Sequence, residues 1–335
     1  MPVGCEKNRI TILKVMLAGL LILAWIIIQV FIEMIPVRGN VTIVVPPKSS
    51  TTYISELLQE NKLIRSAVIF KLYAKITGYE KNLQAGQYKF SGLVSLQDII
   101  NKMTKGEMET KNFTIPEGYT LNQIAELLSK KGLVNKDKFM ETAQNGVFPY
   151  DYLPPSGEEH RLEGFLFPDT YRLSGNHSEK EIIEMMLARF DQIYNQEWHR
   201  RTEEMGMTVQ EIVTMASIIE REAKVPMDRP LIAGVFYNRL ERNMCLESCA
   251  TIQYALGKQK SVLLYKDLMI KSPYNTYTRT GLPPKPIASP GKDALIAALY
   301  PSDTDYLFFV AKRDGSHYFS RSLSEHIRAK REYLE

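Results

Sequence analysis

The 335-residue chain has only three cysteines, too few for a disulfide scaffold. Cys5 stands alone near the start, and Cys245 and Cys249 lie four apart. That spacing permits a bridge if the local turn brings them together, but two small half-buried thiols fit it better. There is no C-x-x-C pair and no H-E-x-x-H motif, so no metal and no cofactor is expected. Nor is there an excess of one charge: 42 Lys and Arg stand against 38 Asp and Glu. No basic run is long enough to track a phosphate backbone, which argues against nucleic acid as a partner.

A long apolar run is present. Val15–Ile32 is 18 residues with Gln29 as its only strongly polar member. As a helix it would span roughly 27 Å at about 1.5 Å per residue, close to the ~30 Å of bilayer hydrocarbon. Lys7, Arg9 and Lys14 precede it, while Glu33 and Arg38 follow. The positive-inside bias predicts a cytoplasmic N-terminus, residues 1–14, a single membrane-spanning helix, residues 15–35, and everything after it outside. Ile32-Glu-Met-Ile-Pro-Val-Arg38 offers no small-residue cleavage site, so an uncleaved anchor is expected rather than a signal peptide.

The first external stretch contains a repeat. Val45-Pro46 recurs as Ile115-Pro116, Ile54-Ser-Glu-Leu-Leu58 as Ile124-Ala-Glu-Leu-Leu128, and Leu63-Ile64 as Leu133-Val134, each 70 residues on. Each copy reads as a short strand (Thr42–Val45; Asn112–Ile115), a turn, an amphipathic helix and a second helix (Ala67–Thr77; Lys136–Gln144). Between the copies, Gly86–Phe90 alternates like a strand and Ser95–Lys105 resembles a helix. A unit this small cannot bury its face alone, so the copies should pack on each other or on the rest of the chain. Phe148–Pro155 reads as a connector.

After the connector, Leu162-Glu-Gly-Phe-Leu-Phe-Pro-Asp-Thr-Tyr171 is densely aromatic and carries Glu163 and Asp169. Such a stretch fits either a sugar groove or a plain core. Helices are expected at Ser178–Trp198, Thr208–Ala223, Arg229–Arg242 and Pro290–Leu299, then strands at Tyr306–Ala311 and Tyr318–Ser320 and a helix from Ser324. Lys271–Pro290 is long, irregular and rich in Pro, Gly and Tyr, which is more typical of a binding loop than of filler.

The helix from Thr208 is the most informative. Thr208-Val-Gln-Glu211 has capping-box spacing. At about 100° per residue, Ile212, Ala216, Ile219 and Ala223 share one face. Glu220 and Glu222 flank that face on opposite sides, about 200° apart, so they diverge and should not pair. An acid at the edge of a buried stripe is costly to hide and useful to chemistry. Spacing alone, however, favours an ordinary stripe-edge ion-pair partner over a catalytic acid.

Six blocks then occur in order: Leu162–Tyr171, Ala216-Ser-Ile-Ile-Glu-Arg-Glu222, Val235-Phe-Tyr-Asn-Arg-Leu240, Ser272-Pro-Tyr-Asn-Thr-Tyr277, Gly281-Leu-Pro-Pro284 and Glu325-His326. Together they resemble the endolytic murein transglycosylases, the YceG-like family, over nearly all the chain after the apolar run. The resemblance implies an α+β fold: a membrane helix, a LysM-like strand–helix region at residues 41–150 and a catalytic domain at residues 156–335. It implies a single-pass cell-membrane lyase, a lytic transglycosylase. Such an enzyme cuts the bond between N-acetylmuramic acid and N-acetylglucosamine in nascent peptidoglycan, leaves 1,6-anhydro ends and ends strand elongation. The partners implied are glycan strands, the membrane and peptidoglycan synthases. Glu220 is the implied catalytic acid, with Glu163, Asn275, Tyr277 and Glu325 as substrate-binding candidates. Where many relatives carry Asp-Pro, this chain has Cys249-Ala250, so no role falls to a second acid there. The competing expectations are a glycan hydrolase pairing Glu220 with Asp169, Glu222 or Glu247, and a non-catalytic wall-binding scaffold.

Overall fold

A computed structural model describes residues 14–22, 24–25, 34–108, 110–175, 177–260 and 262–334. In the apolar run, residues 14–22 and 24–25 are helical, while residues 23 and 26–33 lie outside the described residues. Among the described residues no helix is long and apolar enough to cross a membrane. Met34 and Ile35, read from the sequence as the end of the span, open strand β1 (Met34–Val45).

The chain divides into two compact units, Met1–Asn112 with Arg172–Asn176, and Phe113–Tyr171 with His177–Glu335. The second copy of the repeat, expected to belong with the first in residues 41–150, has its helices in the second unit.

In the first unit, β1 pairs antiparallel with β2 (Gly86–Ser95), with an irregularity between Val37 and Asn40. The strand is longer than the expected Thr42–Val45. Its inward residues Ile43 and Val45 are buried while Val44 stays half exposed, the period-2 pattern of a sheet with one covered face. Helices α1 (Thr51–Glu60), α2 (Ala67–Ile76) and α3 (Leu96–Lys105) start at the caps Ser50, Ser66 and Ser95. Leu58, Phe70, Tyr88, Ile99, Ile100 and Met103 close one apolar core.

The second unit is mostly helical. Residues Phe113 and Tyr171, on strands β3 (Thr110–Thr114) and β4 (Thr170–Ser174), stack their rings at 5.2 Å. Helices α4 (Leu121–Lys130) and α5 (Lys136–Asn145) complete the second repeat copy. The single helix expected over Ser178–Trp198 is two, α6 (Glu179–Ile193) and α7 (Gln196–Glu204). Tyr194 leaves the helical region at ψ 69, and Asn195 Oδ1 caps the next helix by accepting the Glu197 and Trp198 N–H groups at 3.0 and 3.1 Å.

Helix α8 (Val209–Glu222) is central, with α9 (Arg229–Glu241), α10 (Cys249–Ala255) and α12 (Lys292–Leu299) packed on it; the short α11 (Tyr265–Leu268) precedes the long loop. A hairpin of β5 (Phe308–Ala311) and β6 (His317–Ser320) then carries α13 (Leu323–Leu334). The aromatic stretch Leu162–Tyr171 is core: Phe165, Phe167 and Tyr171 are buried, and Phe165 meets Phe190 edge-on at 5.4 Å. Its Gly164 has φ +86, and a Cβ there would lie 2.5 Å from Pro286 and 2.9 Å from Val213, so only glycine fits.

Candidate active site

The expected capping box forms. Thr208 Oγ1 accepts the Glu211 N–H at 3.2 Å and Glu211 Oε2 accepts the Thr208 N–H at 2.8 Å. The expected single apolar face of α8 is exceeded, because every residue from Ile212 to Ile219 is buried. Neighbouring helices cover all sides, so the first charges on α8 after its opening turn come at its end, as Glu220-Arg-Glu222. These three neighbours enter three different surroundings.

Glu220 is gripped at both oxygens. Arg229 Nη2 donates to Oε1 at 3.3 Å and the Gly291 N–H, at the start of α12, donates to Oε2 at 3.1 Å. Its side chain is 8 % exposed and that of Arg229 11 %, so this is a largely desolvated, charge-assisted pair. The stripe-edge ion pair suggested by spacing is therefore real.

Arg221 donates Nη1 to the Gly118 carbonyl at 3.3 Å and lines a cavity of about 430 Å³. Glu163, His160, Tyr254, Gln253 and Gln259 also line it. Glu163 is 1 % exposed. Its oxygens accept the Leu121 N–H at 2.7 Å and the Tyr254 hydroxyl at 3.1 Å. Burial pushes its carboxyl up to about 7, against the pull of these two donors.

Glu222 turns the other way. It accepts from Ser248 Oγ and from the Ala250 N–H at 3.3 Å. It lines a second cavity, about 280 Å³, with Cys249, Tyr277, His326 and Lys330. Glu220 and Glu222 share no partner, as their angular separation requires. Tyr277 O–H lies 3.0 Å from Cys249 Sγ, and burial pushes the phenol well up. Cys245 and Cys249 are free thiols, and Cys249 is exposed rather than half-buried.

The remaining candidates do not join these clusters. Asn275 is fully buried and holds its own loop. Its Nδ2 donates to the Leu268 and Ile270 carbonyls at 2.9 Å each, and its Oδ1 accepts the Tyr277 N–H at 2.9 Å. Glu325 accepts the Arg321 N–H at 2.9 Å at the start of α13. Among the acids weighed as partners for Glu220, Asp169 pairs with Arg189 at 2.6 Å and Glu247 with Arg239 at 3.0 Å.

Sequence reasoning missed Glu117. It lies in the turn Pro116–Thr120 that opens the second repeat copy. Backbone bonds of 2.8 Å from Gly118 N–H to Ser289 O, and from Ser289 N–H to Tyr119 O, tie this turn to the end of the Lys271–Pro290 loop. Ser217 Oγ, inside α8, fixes the same loop by accepting the Ile287 N–H at 3.0 Å. Glu117 is exposed as a residue, yet its carboxyl lies so close to Gly291 that a Cβ there would collide with it. Partial desolvation and then the Glu220 charge raise its pKa; the Arg229 guanidinium opposes them, and Asp293 adds to the rise. A usable signal was present: at the matching place the first copy has Pro47, and only the second copy carries an acid.

The sequence matches the YceG-like family over residues 43–332. It is 38% identical over 315 residues to a protein of Bacillus subtilis (strain 168) named endolytic murein transglycosylase, covering 89% of this chain and 86% of that protein. It is 33% identical over 335 residues to a protein of the same name from Streptococcus pneumoniae serotype 2 (strain D39 / NCTC 7466), covering 90% of this chain and 60% of that longer protein. A crystal structure of a YceG-like protein from Listeria monocytogenes superposes with a TM-score of 0.61 at 37% identity, covering 86% of this chain and 98% of that one. With the match spanning most of the chain and relatives this similar, the chain belongs to the YceG-like family.

Proposed function

We propose that the chain is an endolytic murein transglycosylase. It cleaves the bond between N-acetylmuramic acid and N-acetylglucosamine within peptidoglycan strands and so ends their elongation. The observation that carries this reading is Glu220, a carboxyl at the end of a buried helix with one donor fixed on each oxygen. Glu220 gives its proton to the glycosidic oxygen as the C1–O bond breaks, and C1 passes through an oxocarbenium-like state. The carboxylate, held by Arg229 and the Gly291 N–H, then takes the proton of the muramic C6 hydroxyl. O6 bonds to C1, the 1,6-anhydro ring closes and Glu220 regains its proton. Proton transfer of this kind supplies about 10²–10⁴-fold. The remainder comes from binding, for which the cavities beside Arg221 and Glu222 are the groove on this reading. Glu163 and Tyr277 line those cavities; Asn275 holds the loop that carries Tyr277, and Glu325, which accepts the Arg321 N–H at the start of α13, lines neither.

Two further parts of the reading rest on sequence. The 18-residue apolar run with basic residues before it supports a single-pass anchor, N-terminus inside and catalytic region outside, near the synthases that build the strands. The repeated strand, turn and helix pair supports a LysM-like, glycan-binding role for residues 41–150.

A hydrolase is the second reading, and Glu117 is the observation that favours it, since two carboxyl groups converge on Gly291. Product chemistry separates the two. Mass spectrometry of muropeptides after digestion should find 1,6-anhydro-muramyl ends. Reducing muramic ends alone would sink the transglycosylase reading.

A further inference from the structure

We propose that helix α2 of the first unit lies along the outer surface of an anionic lipid bilayer, with Val68, Leu72 and Ile76 in the boundary between headgroups and acyl chains. The proposal rests on the reading of the apolar run as a membrane anchor. It assigns the unit that follows the run a second contact with the same membrane.

A short helix packed on a small unit needs one apolar face, and α2 has two. Phe70 and Ala74 point into the core and are fully buried. At about 100° per residue, Val68, Leu72 and Ile76 share the opposite side. They are 69 %, 43 % and 75 % exposed. The stripe recurs at every fourth residue and runs roughly 12 Å at about 1.5 Å per residue. A helix that is apolar all round is ordinarily surrounded by a core or by lipid. Protein covers one side of α2, and the other side faces out. Lys71 and Lys75 flank the exposed stripe along one edge.

Position and charge identify the occupant. Only Glu33 separates the apolar run Val15–Ile32 from Met34, where β1 opens, so no linker carries the unit away from the run. Ile35 lines one small cavity together with Arg65, Ser66 and Ile69, so α2 starts beside the point where the run ends. The strand ends there are apolar and exposed as well: Met34 pairs with Ser95 and Pro36 with Leu93, and both Met34 and Leu93 face out. From Asn61 to Tyr79 the chain carries Lys62, Arg65, Lys71 and Lys75 and no acid. Lysine stems lie along apolar surface while their ammonium groups stay at headgroup level. An apolar stripe edged by cations is the pattern of a helix that sinks about 5–10 Å into the interface and is drawn to anionic lipid. A protein partner would also cover the stripe, but the membrane is the surface that the anchor holds within reach.

The test is spin-label accessibility in the full-length protein, reconstituted into vesicles of phosphatidylethanolamine and phosphatidylglycerol. Cys5→Ser, Cys245→Ser and Cys249→Ser clear the background. Val68→Cys, Leu72→Cys and Ile76→Cys then each place one label on α2. Leu20→Cys places one in the apolar run, and Glu141→Cys places one on the exposed surface of the second unit. Oxygen collects in lipid and a nickel chelate stays in water. The ratio of oxygen to nickel collisions at the three α2 positions should exceed that at Glu141 several-fold and lie between the values at Glu141 and Leu20. Replacing phosphatidylglycerol with phosphatidylcholine should lower the ratio on α2 and leave Leu20 unchanged; a ratio on α2 that ignores the exchange overturns the assignment to anionic lipid. Probes on α2 as open to nickel as Glu141 overturn the proposal. So do probes shielded from both reagents, which would mean that protein, a second copy or a partner, covers the stripe. Should one substitution fail to fold, the other two positions decide on the same criterion. A Leu20 probe open to nickel would instead overturn the anchor, and the proposal with it.

Discussion

The two copies of the repeat leave their strands in the same way and then differ. In the first, Val45-Pro-Pro-Lys-Ser-Ser50 turns through Lys48 at φ 62 into a helix capped by Ser50. In the second, Ile115-Pro-Glu-Gly-Tyr-Thr120 turns through Gly118 at φ +74 into a helix capped by Thr120. The left-handed residue sits at the matching place in both. The first turn bonds within itself, Ser49 Oγ donating to the Pro46 carbonyl at 2.7 Å. The second is tied to Ser289, to Arg221 and, through the Leu121 N–H, to the buried Glu163. One local design therefore serves as plain scaffold in one place and as the wall of a charged site in the other. What packs against the turn decides which.

The same contrast holds for the units around them. Among the described residues, the buried polar side chains of the first unit are Ser55 and Ser95, whereas the second buries the charged Arg161, Glu163, Arg229, Arg239 and Asp267. Burying charge is costly unless it is paired, so the second unit carries tensions the first lacks, and mutation should expose them.

The largest expected effect on stability comes from breaking the Glu220–Arg229 pair. Arg229→Met leaves Glu220 desolvated without its cation and should cost about 3–5 kcal/mol. The double variant Arg229→Met/Glu220→Gln should recover most of that loss. Denaturant unfolding measures both, and a double variant no more stable than Arg229→Met would show that the pair is not the cause.

A smaller effect is expected from Glu163, and it depends on pH. Its folded-state pKa of about 7 lies above the ordinary 4.5. A raised carboxyl pKa means the fold favours the protonated form. The contribution is therefore fully present below 4.5 and is lost as pH rises through about 7. The loss amounts to roughly 3 kcal/mol. Glu163→Gln should flatten this slope between pH 4.5 and pH 8, measured as the unfolding midpoint across that range. A slope unchanged by the substitution would remove Glu163 as its origin.

The smallest effect sharpens the comparison of the copies. Ser50→Ala and Thr120→Ala each remove a cap and should each cost about 1 kcal/mol. Only Thr120→Ala should also lower turnover, because its turn carries Glu117 and Gly118. Equal turnover in the two variants would mean the second turn is scaffold as well.

How much of this was legible in the sequence follows from range. Local signals were enough for the capping box at Thr208 and the divergence of Glu220 from Glu222, because each depends on residues within about a turn of helix; the repeat was legible because its matches recur at one fixed offset of 70 residues. Longer-range facts were not visible. The aromatics of Leu162–Tyr171 read as well for a groove as for a core, and only the packing of Phe165 on Phe190 decides. Asn275 resembled a ligand-binding residue, but its three side-chain bonds hold its own loop. Glu117 stands 103 residues before Glu220, and nothing near it in the chain announces the meeting. Gly291 drew no notice because the reason it must be glycine is a carboxyl from the far end of the unit.

The central claim is that Glu220, and not its neighbour Glu222, carries the chemistry. Turnover of glycan strands by purified Glu220→Gln and Glu222→Gln proteins, each shown folded by circular dichroism, tests it most directly. Glu220→Gln should lose about 10²–10⁴-fold, while Glu222→Gln, which loses contacts to Ser248 and Ala250, should keep substantial activity. An active Glu220→Gln protein beside a folded but inactive Glu222→Gln protein would contradict the account.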